Sequence, residues 1–215
     1  MIALYHCFNA RSFRPLWALE ELGVPYELRM LPFPPRARAR EYLDLNPLGT
    51  IPLMLDGETR MTESAAICQY LADCYGAGGL GVSVGDPAYG DYLNYLHFGE
   101  ATLTFPQTLV LRYGRFEPEE RRQPQVAEDY GRWFLARLKA ALPALASGHV
   151  CAGRFTAADI SVGYALLLAQ QVGLGDQLPE EAKRYWEGLQ ARPGYARAQA
   201  AQKAAGKAQG VSANW

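Results

Sequence analysis

The stretch Asn-Pro-Leu-Gly-Thr-Ile-Pro-Leu-Met-Leu-Asp-Gly-Glu-Thr-Arg-Met-Thr-Glu-Ser, residues 46–64, decides the fold of this chain. Asn46-Pro47 and Gly49 end a preceding helix, because the residue before a proline is pushed out of the helical region and glycine accepts the backbone angles of a tight exit. Pro52 cannot donate to a sheet ladder, so it lies at the first residue or the edge of the strand that follows. At Glu63-Ser64 a helix begins, and its start offers backbone donors to an anion.

Strands and helices alternate through the first third of the chain. Apolar runs and alternation predict strands over 2–5, 26–30, 53–55 and 58–60, and 3.6-residue periodicity with capping signals predicts helices over 12–22, 36–45 and 65–75. The resulting order, β-α-β-α-β-β-α, requires a right-handed crossover between parallel strands and a closing antiparallel hairpin. Residues 1–76 are therefore predicted to form an α/β, thioredoxin-like domain with a mixed four-stranded sheet.

The pattern changes after a glycine-rich run that we interpret as a linker over 77–85. Beyond it, apolar residues recur at helical spacing with almost no strand signal, which predicts an all-α helical bundle over 86–205 and a tail over 206–215. Within the bundle, Thr156 and Asp159 fit a capping box at the start of a long helix.

Composition excludes several classes of protein. A hydrophobic content of 49% and a charged content of 20% are those of a soluble globular protein. The formal charge of −1, from 21 basic and 22 acidic residues, argues against a nucleic-acid surface. No window reaches the roughly 20 apolar residues of a membrane span, so we expect a cytoplasmic protein. The cysteines and histidines lack metal-ligand spacing, so no metal is expected.

The order Asn-Pro-x-Gly-x-Ile-Pro, strand, Asp-Gly, strand, Glu-Ser, helix resembles the glutathione-binding half of the glutathione transferases. The resemblance implies a cis proline at Pro52, with the backbone of Ile51 pairing with the cysteinyl part of glutathione. It also implies that Ser64 and the helix start hold the γ-glutamyl carboxylate, while Glu63 holds the amino group. The Thr-x-x-Asp capping box resembles the start of the central helix of the family's second domain, so the resemblance spans nearly the whole chain.

The family activates the glutathione thiol with one donor near the end of the first strand, because the thiolate is the nucleophile. Here that loop reads Tyr-His-Cys-Phe-Asn-Ala-Arg-Ser-Phe-Arg over 5–14. Measured back from Arg14, the catalytic serine of one class of the family falls on Asn9, and the catalytic cysteine of another falls on Arg11. The candidate catalytic residues are Asn9 through its amide, then Ser12 through its hydroxyl or as a helix cap, then Arg11 through its charge.

Further candidates surround the predicted glutathione site. Arg38 resembles the family's basic contact to the glycine carboxylate of glutathione. An equally good interpretation is that Arg38 belongs to a run of basic residues that contacts only solvent. The candidate residues for binding substrates are Arg38, Thr50, Ile51, Pro52, Glu63, Ser64, Tyr92, Phe98 and Thr102. The last three belong to an aromatic stripe on the first bundle helix, where we expect a few side chains to face the electrophile and the others to pack in the core.

The resemblance therefore implies a homodimeric detoxification enzyme that activates its co-substrate glutathione for attack on a small hydrophobic electrophile, without a metal. Two alternatives stay open. One is a glutathione-dependent disulfide or peroxide reductase in which Cys7 or the glutathione thiolate attacks. The other is a non-catalytic interaction protein with the transferase fold. The remaining cysteines, Cys68, Cys74 and Cys151, are predicted to be core thiols.

Overall fold

The computed structural model describes residues 1–76 and 79–213, so the linker residues Ala77 and Gly78 and the tail residues Asn214 and Trp215 lie outside the described residues. The chain forms two compact units. One contains the chain up to Gly81 together with the residues from Ala191 onward, and the other is Val82–Gln190.

The first unit contains one four-stranded sheet in the order β2-β1-β3-β4. The strands are β1 (Ile2–His6), β2 (Tyr26–Met30), β3 (Leu53–Asp56) and β4 (Thr59–Met61). β1 runs parallel to β2 and antiparallel to β3, and β3 runs antiparallel to β4. The predicted mixed, thioredoxin-like sheet is thus confirmed, and its central strand β1 is buried along its whole length.

The helices are α1 (Phe13–Leu22), α2 (Pro35–Arg38), α3 (Tyr42–Leu45), α4 (Ser64–Tyr75), α5 (Tyr89–His97), α6 (Phe105–Leu111), α7 (Pro124–Ala146), α8 (Ala157–Gln171), α9 (Glu180–Gln190) and α10 (Pro193–Ala208). Short 3-10 turns cover Glu119–Arg121 and Gly175–Gln177, and π-helical segments cover Phe98–Thr104 and Arg112–Phe116. None of the helices in the described part of the chain is both long enough and apolar enough to cross a lipid bilayer.

Two sequence expectations about the first unit were wrong. The single helix predicted over 36–45 is two short helices, because the backbone leaves the helical region at Ala39 (φ −143°, ψ 70°). This break lets Ala39 and Tyr42 both pack in one apolar cluster. Cys74 is exposed rather than in the core, whereas Cys68 and Cys151 are buried. Six residues apart on α4, Cys68 and Cys74 occupy different helix faces.

The C-terminal helix differs from the predicted domain boundary. α10 belongs to the first unit rather than to the helical bundle. Tyr195 packs edge-on against Phe13 and Trp17 of α1, with ring centroids 5.6 and 5.1 Å apart. The Arg192 guanidinium also pairs with the Glu21 carboxylate at 2.8 Å. α10 extends to Ala208, beyond the predicted start of the tail at 206.

The second unit is built around α8, whose residues from Ala157 to Ala169 are all buried. The predicted capping box is present at its start: the Thr156 backbone amide donates to the Asp159 carboxylate at 2.8 Å. α8 packs closely against the π-helical segment that follows α5. A Cβ placed on Gly99 would lie 2.5 Å from the Ser161 carbonyl carbon, so only glycine fits this contact without a shift.

Candidate functional site

The loop that leads into β3 is anchored by two buried side chains. Its Ile51–Pro52 peptide bond is cis. The Tyr42 hydroxyl and the Asn46 Nδ2 group each donate to the Thr50 carbonyl at 2.8 Å. In the described part of the chain, the Ile51 amide and carbonyl take part in no turn or loop backbone hydrogen bond. Tyr42 and Asn46 therefore fix a short segment of backbone that has polar groups available next to β3.

The start of α4 combines a helix N-terminus with a buried cation. Ser64, the first residue of α4, is 3% exposed, and Glu63 before it is exposed with extended backbone. The fully buried Arg14 guanidinium of α1 donates from Nη1 to Ser64 Oγ at 3.2 Å. Because Oγ accepts from Arg14, the Ser64 hydroxyl can still donate its own proton to an acceptor. The first backbone amides of a helix also lack partners inside it, so this corner is suited to an anion.

The Ser12 side chain is turned into the protein. Ser12 is completely buried, its Oγ accepts from the Cys7 backbone amide at 3.2 Å, and it lies 2.7 Å from His6 Nδ1. It makes no side-chain cap bond to α1, so the predicted role as a helix cap is wrong. A hydroxyl held in this way does not reach a ligand at the surface, and we interpret Ser12 as part of the structural support of the loop.

Asn9 is held by a residue from the other end of the chain. Its backbone has φ 50°, in the left-handed region. The Asn9 backbone amide donates to Gln202 Oε1 at 3.1 Å, and Gln202 Nε2 donates to Asn9 Oδ1 at 2.7 Å. Asn9 is half-buried, whereas Gln202 on α10 is 1% exposed. Asn9, the first candidate for the thiol donor, therefore lies on a partly exposed loop that is held by the buried side chain of Gln202.

His6 and Cys7 lie beneath this loop and are both completely buried. Burial lowers the pKa of His6 to about 4, against the smaller opposing effect of its hydrogen bonds to Gln202 and Ser12, so the imidazole is neutral at pH 7. Burial raises the pKa of the Cys7 thiol to about 12. Cys7 is therefore an inert core thiol, which removes it as the attacking group of the redox alternative.

The loop after β1 and the loop before β3 share one apolar cluster. Cys7 and Ala10 from the first loop pack in it with Ile51 and Tyr42. This common cluster places the segment that carries Asn9 beside the cis-proline segment. By contrast, Arg38 is exposed on α2, and Arg11 is half-buried.

The three candidates for the electrophile site lie in the second unit. Tyr92 is completely buried in the core, because it occupies the inner face of α5. Phe98 and Thr102 are half-buried and line a surface cavity of about 380 Å³ with Leu93, Asn94, His97 and Ala101. Phe98 packs edge-on against Tyr95 with the ring centroids 6.0 Å apart.

Comparison with known proteins places the chain in a family. Residues 10–74 match the family model described as glutathione S-transferase, N-terminal domain. The chain is 31% identical to glutathione S-transferase 4 of Zea mays over 197 residues, which make up 84% of this chain and 83% of the maize protein. The chain belongs to the glutathione S-transferase family.

Two further members of the transferase family show how far the likeness extends. Glutathione S-transferase 3 of Schizosaccharomyces pombe is 37% identical over 103 residues, which are 48% of this chain but only 43% of the yeast protein. The match therefore spans less than half the length of that relative. The crystal structure of the glutathione transferase URE2P6 from Phanerochaete chrysosporium, in complex with oxidized glutathione, superposes with a TM-score of 0.82 at 26% identity. It covers 95% of this chain and 97% of that one.

Sequence reasoning missed four residues that shape this candidate site. In the sequence, Arg14 only marks the position from which the family's catalytic residues are located, and Asn46 only indicates the end of a helix. His6 is the last residue of the buried strand β1, which accounts for its position in the core. Gln202 carries no local signal, because its partner Asn9 lies 193 residues away.

Proposed function

We propose that this member of the family is a glutathione transferase that binds glutathione on its first unit and activates it as a thiolate. The observation that carries the proposal is the start of α4, where the Ser64 hydroxyl receives a hydrogen bond from the buried Arg14 guanidinium at 3.2 Å. A carboxylate at this corner accepts from the Ser64 hydroxyl and from helix-start amides, with a positive charge beneath them. In this proposal Ser64 takes the γ-glutamyl carboxylate and the exposed Glu63 takes the amino group.

The cis-proline segment supplies the second contact. Glutathione is itself a peptide, so its cysteinyl amide and carbonyl pair with the Ile51 backbone as an added strand does. The Thr50 carbonyl already accepts hydrogen bonds from Tyr42 and Asn46. In this proposal Thr50 therefore does not bind glutathione through its carbonyl but holds the backbone next to Ile51 in place. We assign Arg38 to the glycine carboxylate of glutathione, as a solvent-exposed charge contact of low energy.

Activation of the thiol is assigned to Asn9. A hydrogen bond from its side-chain amide to the glutathione sulfur favours the thiolate over the thiol, which lowers the pKa of the bound thiol. The thiol proton passes to solvent, the thiolate forms a carbon–sulfur bond with an electrophilic carbon, and the leaving group departs with the bonding electron pair. We propose a small hydrophobic electrophile in a cytoplasmic enzyme that acts as a homodimer.

The name of the maize relative and the glutathione-bound state of the Phanerochaete structure support this proposal. Titration calorimetry with reduced glutathione, followed by assays with an aryl halide and with a mixed disulfide of glutathione, tests it. Saturable binding with aryl-halide turnover is the expected result. Binding with turnover of only the mixed disulfide would assign the protein to glutathione-dependent reduction, with the glutathione sulfur as the attacking group. Binding without either activity would indicate an interaction protein.

A further inference from the structure

Two buried side chains donate to one carbonyl oxygen in the loop before β3. The Tyr42 hydroxyl and the Asn46 Nδ2 group each lie 2.8 Å from the Thr50 carbonyl oxygen. Tyr42 is 3% exposed and Asn46 is 2% exposed, whereas Thr50 itself is exposed. A carbonyl oxygen has two lone pairs, so these two donors use its hydrogen-bonding capacity and hold it toward the interior.

The direction of both hydrogen bonds is fixed by the groups that make them. The Thr50 carbonyl can only accept, so the Tyr42 hydroxyl gives its single proton to it. The Asn46 amide has one orientation that fits, because its Oδ1 accepts from the Leu48 backbone amide at 3.3 Å, which leaves Nδ2 for Thr50. Nδ2 also lies 3.3 Å from the Tyr42 hydroxyl oxygen, which accepts from it. The two side chains therefore support each other in holding the carbonyl.

The position of the Thr50 carbonyl determines the direction of the next backbone amide. The Thr50–Ile51 peptide group is trans and planar, so its C=O and its N–H point in opposite directions. Since Tyr42 and Asn46 hold the oxygen, the Ile51 N–H points away from these two side chains. Among the described residues, this amide takes part in no turn or loop backbone hydrogen bond. A rotation of the peptide group would break both hydrogen bonds to the Thr50 oxygen.

We propose that Tyr42, together with Asn46, is a positioning residue that fixes the Ile51 amide as a donor to the cysteinyl carbonyl of glutathione. This inference rests on the proposed function, in which the Ile51 backbone pairs with the cysteinyl part of the ligand. It also adds a requirement on the ligand. The loop selects thiols whose cysteinyl residue carries a carbonyl group, because the amide that meets this group is held in the donating direction before the ligand arrives.

Tyr42→Phe isolates the contribution of the hydroxyl. The ring keeps its place in the apolar cluster with Ala39 and Ile51. Thr50 keeps the hydrogen bond from Asn46, so the variant should fold, but one of the two bonds that prevent the peptide group from rotating is lost. Glutathione affinity, measured by titration calorimetry, is expected to fall about fivefold, the usual effect of one hydrogen bond. Unchanged affinity would overturn the inference.

The matched control is Tyr26→Phe in β2 of the same unit. The Tyr26 hydroxyl donates to Glu20 Oε1 at 2.5 Å, and Tyr26 is partly buried. This substitution also removes one tyrosine hydroxyl and one hydrogen bond from the first unit, but it does not touch the loop before β3. It should leave glutathione affinity unchanged. An equal loss of affinity in both variants would show a general loosening of the unit and would overturn the inference.

A second ligand shows whether Tyr42 acts through the Ile51 amide. γ-Glutamylcysteamine keeps the γ-glutamyl group and the thiol of glutathione but lacks the cysteinyl carbonyl and the glycine. Tyr42→Phe should weaken glutathione and leave the affinity for γ-glutamylcysteamine, measured by displacement titration, at the wild-type value. This comparison is a double-mutant cycle in which one change is made on the ligand. Equal weakening of both ligands would overturn the inference.

The Ile51 amide of the wild-type protein gives a readout that does not depend on any variant. Its NMR resonance should shift when glutathione binds, and the amide should become protected from hydrogen exchange. γ-Glutamylcysteamine should cause neither change. Glutathione binding without an effect on the Ile51 amide would overturn the inference, even if Tyr42→Phe did not fold. If glutathione does not bind to the wild-type protein at all, the proposed function fails, and this inference fails with it.

Discussion

At the scale of single residues, the role that we propose for Ser64 in glutathione binding depends on the completely buried guanidinium of Arg14, which donates to its hydroxyl oxygen. Ser64→Ala removes the hydroxyl and leaves the Arg14 guanidinium without this acceptor. We expect glutathione affinity to fall by about 1.5 to 3 kcal/mol, the range for a hydrogen bond to a charged group. Titration calorimetry measures the loss, and Ser83→Ala at an exposed position is the control. Unchanged affinity would remove Ser64 from the site.

His6 makes the stability of the protein depend on pH through a single buried imidazole. Its pKa is about 4 in the folded protein against an ordinary value of 6.5. Between these values the unfolded chain binds a proton that the folded chain does not, so this contribution to stability is complete above pH 6.5 and is lost as pH falls toward 4. The shift corresponds to about 3 kcal/mol of unfolding free energy.

Urea unfolding at a series of pH values measures this contribution. His6→Gln should have a smaller loss of stability than the wild type between pH 7 and pH 4, even if it is less stable at pH 7. His97→Gln, at an exposed histidine of α5, should keep the wild-type slope. Parallel curves for wild type and His6→Gln would show that His6 titrates normally in the folded protein.

At the scale of elements, local patterns in the sequence were sufficient for most strands and helices. The four strands and the helix start at Thr156 follow from apolar periodicity and capping residues, which act over a few positions. The helix predicted over 36–45 failed because burial of Ala39 and Tyr42 in a common cluster outweighs helical periodicity there. The anchor of Asn9 by Gln202 was not predictable, since it depends on a contact between residues 193 positions apart.

The contact between the π-helical segment and α8 depends on one glycine. A methyl group on Gly99 would lie 2.5 Å from the Ser161 carbonyl carbon and 2.6 Å from its oxygen. Because backbone cannot move aside as a flexible side chain does, Gly99→Ala should destabilise the protein by roughly 1 to 3 kcal/mol. Gly90→Ala on α5 is the matched control, since no heavy atom lies within 4 Å of its added Cβ. It should be neutral or stabilising by up to about 1 kcal/mol.

Chemical denaturation of the two alanine variants decides this point. Equal stability of Gly99→Ala and Gly90→Ala would show that α8 and the π-helical segment can separate at little cost. A loss confined to Gly99→Ala would identify this contact as a fixed feature of the second unit.

At the scale of the whole molecule, the chain returns to its first unit after completing the helical bundle. All residues that we assign to glutathione lie before position 65, yet the unit that holds them also needs α10. Tyr195 covers Phe13 and Trp17, and Gln202 satisfies the buried His6 imidazole. Without α10, an apolar face of α1 meets water and His6 Nε2 loses this acceptor, both of which reduce stability.

A chain truncated after Gln190 should therefore lose glutathione binding, although every proposed glutathione contact is retained. Thermal unfolding and titration calorimetry test this, with a chain ending at Gly210 as the control, because it keeps α10, Gln202 and Gln209. Removing α10 uncovers the large aromatic contacts of α1, so we expect early unfolding and protease cleavage within the first unit rather than a small shift in affinity. If the truncated chain binds glutathione with wild-type affinity, the site does not need α10.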